Sequence, residues 1–153
     1  MEKIGFIGLG NMGRGMASNI RRKQFAMMVY DLNPKPVAAL VELGAEAACD
    51  VAALGRASSI AITMLPGPKE VSATAATLLE HMAPGSLLID MSTVDPETTD
   101  ALAAAAAAKG VGFVDAPVGR LAAHAERGES LFMVGASDAD FARAKPLLEA
   151  MGT

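Results

Sequence analysis

The chain has 153 residues, 52% of them hydrophobic, and 17 acidic against 13 basic side chains leave a formal net charge of −4. This length suits one domain that buries about 70% of its unfolded surface, no apolar run reaches the ~18 residues of a membrane span, and the acidic balance argues against a nucleic-acid partner. One cysteine, Cys49, and two histidines exclude an intrachain disulfide and a convincing zinc site, so a reducing cytoplasm is expected and no signal peptide is read at the N-terminus.

Ile4, Phe6 and Ile7 mark a first strand, after which Met12, Met16 and Ile20 recur at helical spacing. The run Arg21-Arg22-Lys23 closes that helix, where cations suit the dipole and the solvent. Ala26–Asp31 is a second strand, continuous in apolar residues as if covered on both faces. Asn33 caps and Pro34 opens a helix that runs to Leu43 and stops at Gly44. Cys49 is expected to be a small buried or half-buried residue, and Asp50 to cap a short helix, Val51–Leu54. Ser59–Leu65 is a third strand, Lys69–Met82 a helix and Ser86–Met91 a fourth strand. Asp95-Pro96-Glu97 opens a helix through the Ala103–Ala108 tract to Gly110, ordered because alanine is the best helix former. Val111–Val118 is a fifth strand, Gly119–Ser130 a loop, Leu131–Val134 a sixth strand, and Ser137-Asp138 caps a last helix, Ala139–Met151.

Alternating strands and helices imply an α/β fold with a parallel, doubly wound sheet of the Rossmann type, and right-handed crossovers make 3-2-1-4-5-6 the expected strand order. Ligands of such sheets sit outside the C-terminal strand ends. The first exit carries Gly8-Leu9-Gly10-Asn11-Met12-Gly13 between strand and helix, the order a dinucleotide needs. Gly8 allows the sharp turn, Gly10 the close approach of a pyrophosphate, and Gly13 the packing of helix on strand. Asp31, 18 positions after Gly13, is placed to accept bonds from ribose hydroxyls. A 2′-phosphate about 4 Å from that carboxylate would cost up to ~4 kcal/mol at intermediate dielectric, which favours NAD over NADP; the alternative is a solvated carboxylate near a helix start. Leu65 and Pro66 offer backbone to a cofactor, or are a plain turn. Ser92 and Thr93 offer hydroxyls where a nicotinamide would lie, or serve as helix caps.

Together, Gly5–Gly13, Thr63-Met64-Leu65-Pro66, Asp90–Pro96, Asp115-Ala116-Pro117-Val118 and Met133-Val134-Gly135 resemble the β-hydroxyacid dehydrogenases, relatives of 3-hydroxyisobutyrate dehydrogenase, tartronate semialdehyde reductase and 6-phosphogluconate dehydrogenase. The resemblance covers the whole chain. It implies that residues 1–153 are a dinucleotide-binding domain, followed in the family by an all-helical domain that completes the active site and the homo-oligomer. It implies cofactor contacts at Asn11, Met12, Asp31, Leu65 and Thr93, and hydride transfer between a nicotinamide and a small anionic 3-hydroxy acid or semialdehyde.

Two departures stand out. The family segment Asp-x-Pro-Val-Ser-Gly-Gly here continues as Gly119-Arg120, without the serine. Arg120 offers a planar fork of donors to an anion, a charge-assisted pair worth roughly 1.5–3 kcal/mol. The Pro-Val-Gly-Arg form resembles sulfolactaldehyde reductases, which implies a sulfonate, as well as a carboxylate, as the substrate anion; a surface salt bridge is the other reading of Arg120. Ser92, Gly119 and Arg120 are therefore the candidate substrate residues. The family's catalytic lysine lies downstream of Thr153, and Lys109, Lys145, His81 and His124 do not match it. No catalytic residue and no metal ligand is assigned within the chain, which by itself is expected to bind NAD without turnover. The alternatives are a stand-alone NAD sensor and an NADP-dependent relative of the 6-phosphogluconate or imine-reducing type.

Overall fold

The structure, a computed structural model, describes residues 2–92, 94–116 and 138–151, with the backbone alone at Asn11. Among the described residues six strands, β1 (Lys3–Ile7), β2 (Ala26–Tyr30), β3 (Glu46–Ala47), β4 (Ile60–Thr63), β5 (Leu87–Asp90) and β6 (Gly112–Asp115), alternate with helices. The helices are α1 (Asn11–Arg22), α2 (Pro34–Glu42), α3 (Val51–Ala57), α4 (Pro68–His81), α5 (Pro96–Ala108) and α6 (Asp138–Met151). Every strand pairing is parallel, and the order is β3-β2-β1-β4-β5-β6.

The expected order 3-2-1-4-5-6 is the observed one, but the strands that fill it shift by one. Glu46–Ala47 takes the third place, and Ser59–Leu65, read as third, supplies β4 beside β1. Two exposed residues at a sheet edge carry no hydrophobic pattern, so β3 is silent in the sequence. The expected fourth and fifth strands become β5 and β6, and the sixth, Leu131–Val134, lies outside the described residues. Cys49 is exposed, not half-buried, because it follows this short edge strand, where no second layer covers it. The short helix expected over Val51–Leu54 runs on to Ala57.

Alternation along the strands divides the core into two layers. Ile4, Phe6, Val29, Ile62 and Ile89 pack with Met16 and Ile20 of α1, Leu40 of α2 and Leu147 of α6. Ile7, Ala61 and Leu88 pack with Leu54 of α3, Val71 and Leu78 of α4 and Leu102 of α5. Strand β2 is less enclosed than its apolar run suggests: Met27 and Val29 are buried, whereas Met28 and Tyr30 are half-buried on the second face.

Polar ties close the ends. The Arg21 guanidinium donates to the carbonyls of Phe25 (3.0 Å) and Leu43 (3.1 Å), so it joins the ends of α1 and α2 rather than only facing solvent. Arg143 of α6 grips Glu2 with two nitrogens (2.6 and 3.1 Å) and donates to the Gly85 (2.5 Å) and Ser59 (3.3 Å) carbonyls. That bond from Arg143 holds the Glu2 carboxyl below its ordinary value of 4.5. A depressed carboxyl stabilises the fold above its unfolded value and loses that contribution as pH falls through its folded one. Arg143→Ala is expected to cost about 1–2 kcal/mol, discounted for partial exposure, and to flatten the loss of stability below pH 4.5. Urea unfolding at pH 7 and in mild acid checks both outcomes.

Candidate functional site

The turn from β1 into α1 owes its shape to two glycines. Gly8 has φ +99°, donates to the Tyr30 carbonyl (3.1 Å), and a Cβ there would collide with the Met64 carbonyl oxygen. A Cβ on Gly13 would collide with the Gly8 carbonyl oxygen, so this glycine lets helix meet strand. Gly10, which precedes the first turn of α1, has nothing within 4 Å of where its Cβ would be. The fold does not require a glycine there, and the space in front of the helix is open.

Two helices, α1 and α4, start at a glycine without a side-chain cap, and α4 has Glu70 in its first turn. Asn33, Asp50 and Asp95 cap α2, α3 and α5 by accepting from Lys35, Ala53 and Thr98 amides. α1 has no side-chain cap and no acid in its first turn. Its N–H groups and positive dipole end are thus left for an external anion.

Asp31 stands beside this turn at the exit of β2. One carboxylate oxygen accepts the Leu9 amide (2.6 Å), and the other accepts the Asn33 amide (2.8 Å). The residue therefore anchors the glycine loop, and its remaining lone pairs still allow it to receive hydroxyl hydrogens.

The exits of β4 and β5 are tied together. Thr63 Oγ1 (2.9 Å) and the Ser92 amide (3.1 Å) donate to Asp90 Oδ1, and Ser92 Oγ accepts the Leu65 amide (2.8 Å). Asp90 is fully buried, and its burial pushes the carboxyl above its ordinary value. Ser92, a candidate substrate residue, also has a structural tie. It is 1% exposed, and its hydroxyl accepts the Leu65 amide and so holds that turn.

The exits of β1, β2 and β4, with the starts of α3 and α4, enclose a cleft of about 670 Å³, within the size range of small-molecule and cofactor sites. Gly8, Gly10, Met12, Gly13, Asp31, Leu65 and Pro66, all expected at a cofactor, line it together. Asn11 starts α1 at the same place. Thr93, Gly119 and Arg120, with His124, lie outside the described residues. The reading from sequence missed Tyr30, Leu32, Val51, Glu70, Ala73 and Thr74 on the far wall. Leu32, 90% exposed beside Asp31, was the legible signal among them; Glu70, Ala73 and Thr74 belong to a helix whose cleft-facing side only the packing reveals. No group of three metal-ligating side chains occurs among the described residues, and no helix among them is long and apolar enough to cross a membrane.

Comparison with known proteins adds an independent line. The family described as the NAD binding domain of 6-phosphogluconate dehydrogenase matches residues 3–153. The chain is 43% identical to a 3-hydroxyisobutyrate dehydrogenase of Pseudomonas aeruginosa over 99% of its own length, and 39% identical to a 3-sulfolactaldehyde reductase of Escherichia coli over 100% of it. It spans 52% of the length of each of these relatives. It superposes with a TM-score of 0.95, at 30% identity, on 99% of its length and 52% of the chain of a Mycobacterium tuberculosis 3-hydroxyisobutyrate dehydrogenase structure with L-serine. With the parallel sheet, the glycine turn and the cleft, this match shows that the chain belongs to the β-hydroxyacid dehydrogenase family, as its NAD-binding domain.

Proposed function

We propose that the cleft holds NAD, with the pyrophosphate at the start of α1 and the adenosine ribose at Asp31. The observation that carries this reading is the open N-terminus of α1 beneath Gly10, which has neither a side-chain cap nor an acid in its first turn and opens on the cleft. Asp31 accepts the ribose hydroxyls and disfavours a 2′-phosphate, and Met12, Leu65, Pro66 and Thr93 bound the cofactor along the strand ends. When bound, the nicotinamide supplies or accepts a hydride.

In the complete protein we assign to Gly119 and Arg120 the orientation of a small anionic substrate, a 3-hydroxy acid or its semialdehyde. The names of the two relatives support this class, one a hydroxy acid and one a sulfonated aldehyde. Arg120 suits either anion through its fork of donors. A following helical domain carries the lysine that the resemblance implies as proton donor to the developing alkoxide, and completes a homo-oligomer.

Calorimetric titration of the chain with NADH and NADPH tests the cofactor assignment. NADH is expected to bind at least about tenfold more tightly, roughly 1.4 kcal/mol. Equal or reversed affinities would overturn the role given to Asp31, and binding of neither nucleotide would overturn the site.

A further inference from the structure

Asp90 and Asp115 are an unexpected pair to find side by side at the strand exits; neither lines the nucleotide cleft, and Asp115 lines a second cavity with Phe113 and Asp140. Asp90 and Asp115 are register partners at the C-terminal ends of β5 and β6, where neighbouring strands lie about 4.8 Å apart. Both point to the same layer, because Leu88 and Phe113, two residues earlier, pack into the core under α3, α4 and α5. Asp90 Oδ1 receives Thr63 and Ser92, but its Oδ2 is buried with no hydrogen-bond partner. An ionised carboxylate with one bare oxygen in a dry interior is costly, and a neutral acid avoids most of that cost.

We propose that Asp90 is the positioning residue of the cleft, a neutral acid that joins the exits of β4 and β5, with the Asp115 carboxyl beside it on the neighbouring strand. This rests on the nucleotide reading of the cleft above.

The geometry links the carboxyl directly to the site. Asp90 fixes Ser92, Ser92 holds the Leu65 amide, and Leu65 lines the cleft. Among the described residues, no cation forms an ion pair with either carboxyl. β4 contributes only the Thr63 hydroxyl. The exposed ends of the covering helices carry Lys69 and Glu70 on α4 and Glu97 and Asp100 on α5, with Glu80 and His81 at the other end of α4. From the opposite layer, Asp140 of α6 approaches Gly112 at the start of β6. Burial raises both carboxyls above 3.8, opposed at Asp90 by Ser92 and Thr63 and reinforced at Asp115 by the charge of Asp90. A raised acid binds more protons in the folded state, so the fold loses stability as pH climbs from 3.8 through the raised value. Ionisation of the second carboxyl sets two like charges at the strand ends and loosens the exits they hold.

Carboxyl-carbon NMR of the wild-type chain between about pH 4 and 8 is the direct test. Asp90 is expected to keep its proton well above the ordinary carboxylate range, and the Leu65 and Ser92 amide signals to move with its titration. An ordinary midpoint, or amides indifferent to it, would overturn the proposal. NADH titration of variants is the second measurement. Asp90→Asn, which keeps a neutral acceptor, is expected to bind within about threefold of wild type at pH 5 and, like Asp115→Asn, to remove the weakening toward pH 8. Asp90→Ala is expected to lose about tenfold or more. Equal losses in Asp90→Asn and Asp90→Ala would sink the idea. A wild-type chain that binds no nucleotide would instead refute the reading of the cleft, while the NMR titration would still judge Asp90.

Discussion

Gly13→Ala is expected to prevent stable folding, with a loss of about 3 kcal/mol or more in urea unfolding. A Cβ at this position runs into the Gly8 carbonyl oxygen, a backbone atom that cannot swing aside. Relief would need α1 to lift from β1, and with it Met16 and Ile20 from the core. Gly8→Ala should be as damaging, because the collision with the Met64 carbonyl adds to the strain of φ +99°. Gly10→Ala is the informative contrast. With open space at its Cβ and an extended backbone, it should change stability by less than about 1 kcal/mol. If the pyrophosphate uses that space, the same variant should bind NADH at least about tenfold more weakly. Unchanged affinity in a folded Gly10→Ala chain would mean that the space serves no ligand.

Asp31→Ser should produce two separable effects. The carboxylate receives the Leu9 and Asn33 amides, so shortening the side chain should cost about 1.5–3 kcal/mol of stability, within the range for hydrogen bonds to a charged group. It should also bring NADPH and NADH affinities to within about threefold of each other, because the repulsion of up to ~4 kcal/mol against a 2′-phosphate is gone. Asp31→Asn separates the two roles. It keeps most of the ties to Leu9 and Asn33 and removes the charge, so it should relax the preference at a smaller cost in stability. If neither variant shifts the preference, Asp31 is an anchor of the loop and not a discriminator of cofactors.

The two aspartates at the strand exits illustrate what a sequence can and cannot reveal. Asp31 was legible because its distance from the glycine turn is set by one helix and one strand, whose lengths are local properties. Its bond to the Leu9 amide was not, since that depends on how the β1 and β2 exits meet. Asp90 read as part of a family segment and nothing more. Its burial, its bonds to Thr63 and Ser92 and its pairing with Asp115 arise from the register of three strands far apart in the chain. The bond of Ser92 to the Leu65 amide was hidden for the same reason: a hydroxyl after a strand suits a ligand or a neighbouring turn equally well, and the approach of Leu65 depends on the fold. β3 went unseen because two exposed residues have no periodicity, although their pairing with Met28 and Val29 completes the sheet.

By itself the sequence determined the alternation of strands and helices, the parallel sheet, the caps at Asn33 and Asp50, and the glycine turn, all of which follow from short-range sterics and hydrophobic period. Tertiary structure alone decided which strand is third, which wall of the cleft Glu70 and Thr74 line, that Ser92 holds the Leu65 turn, and that Asp90 lies buried against Asp115. Those features depend on contacts between segments distant in sequence, which short-range periodicity does not encode.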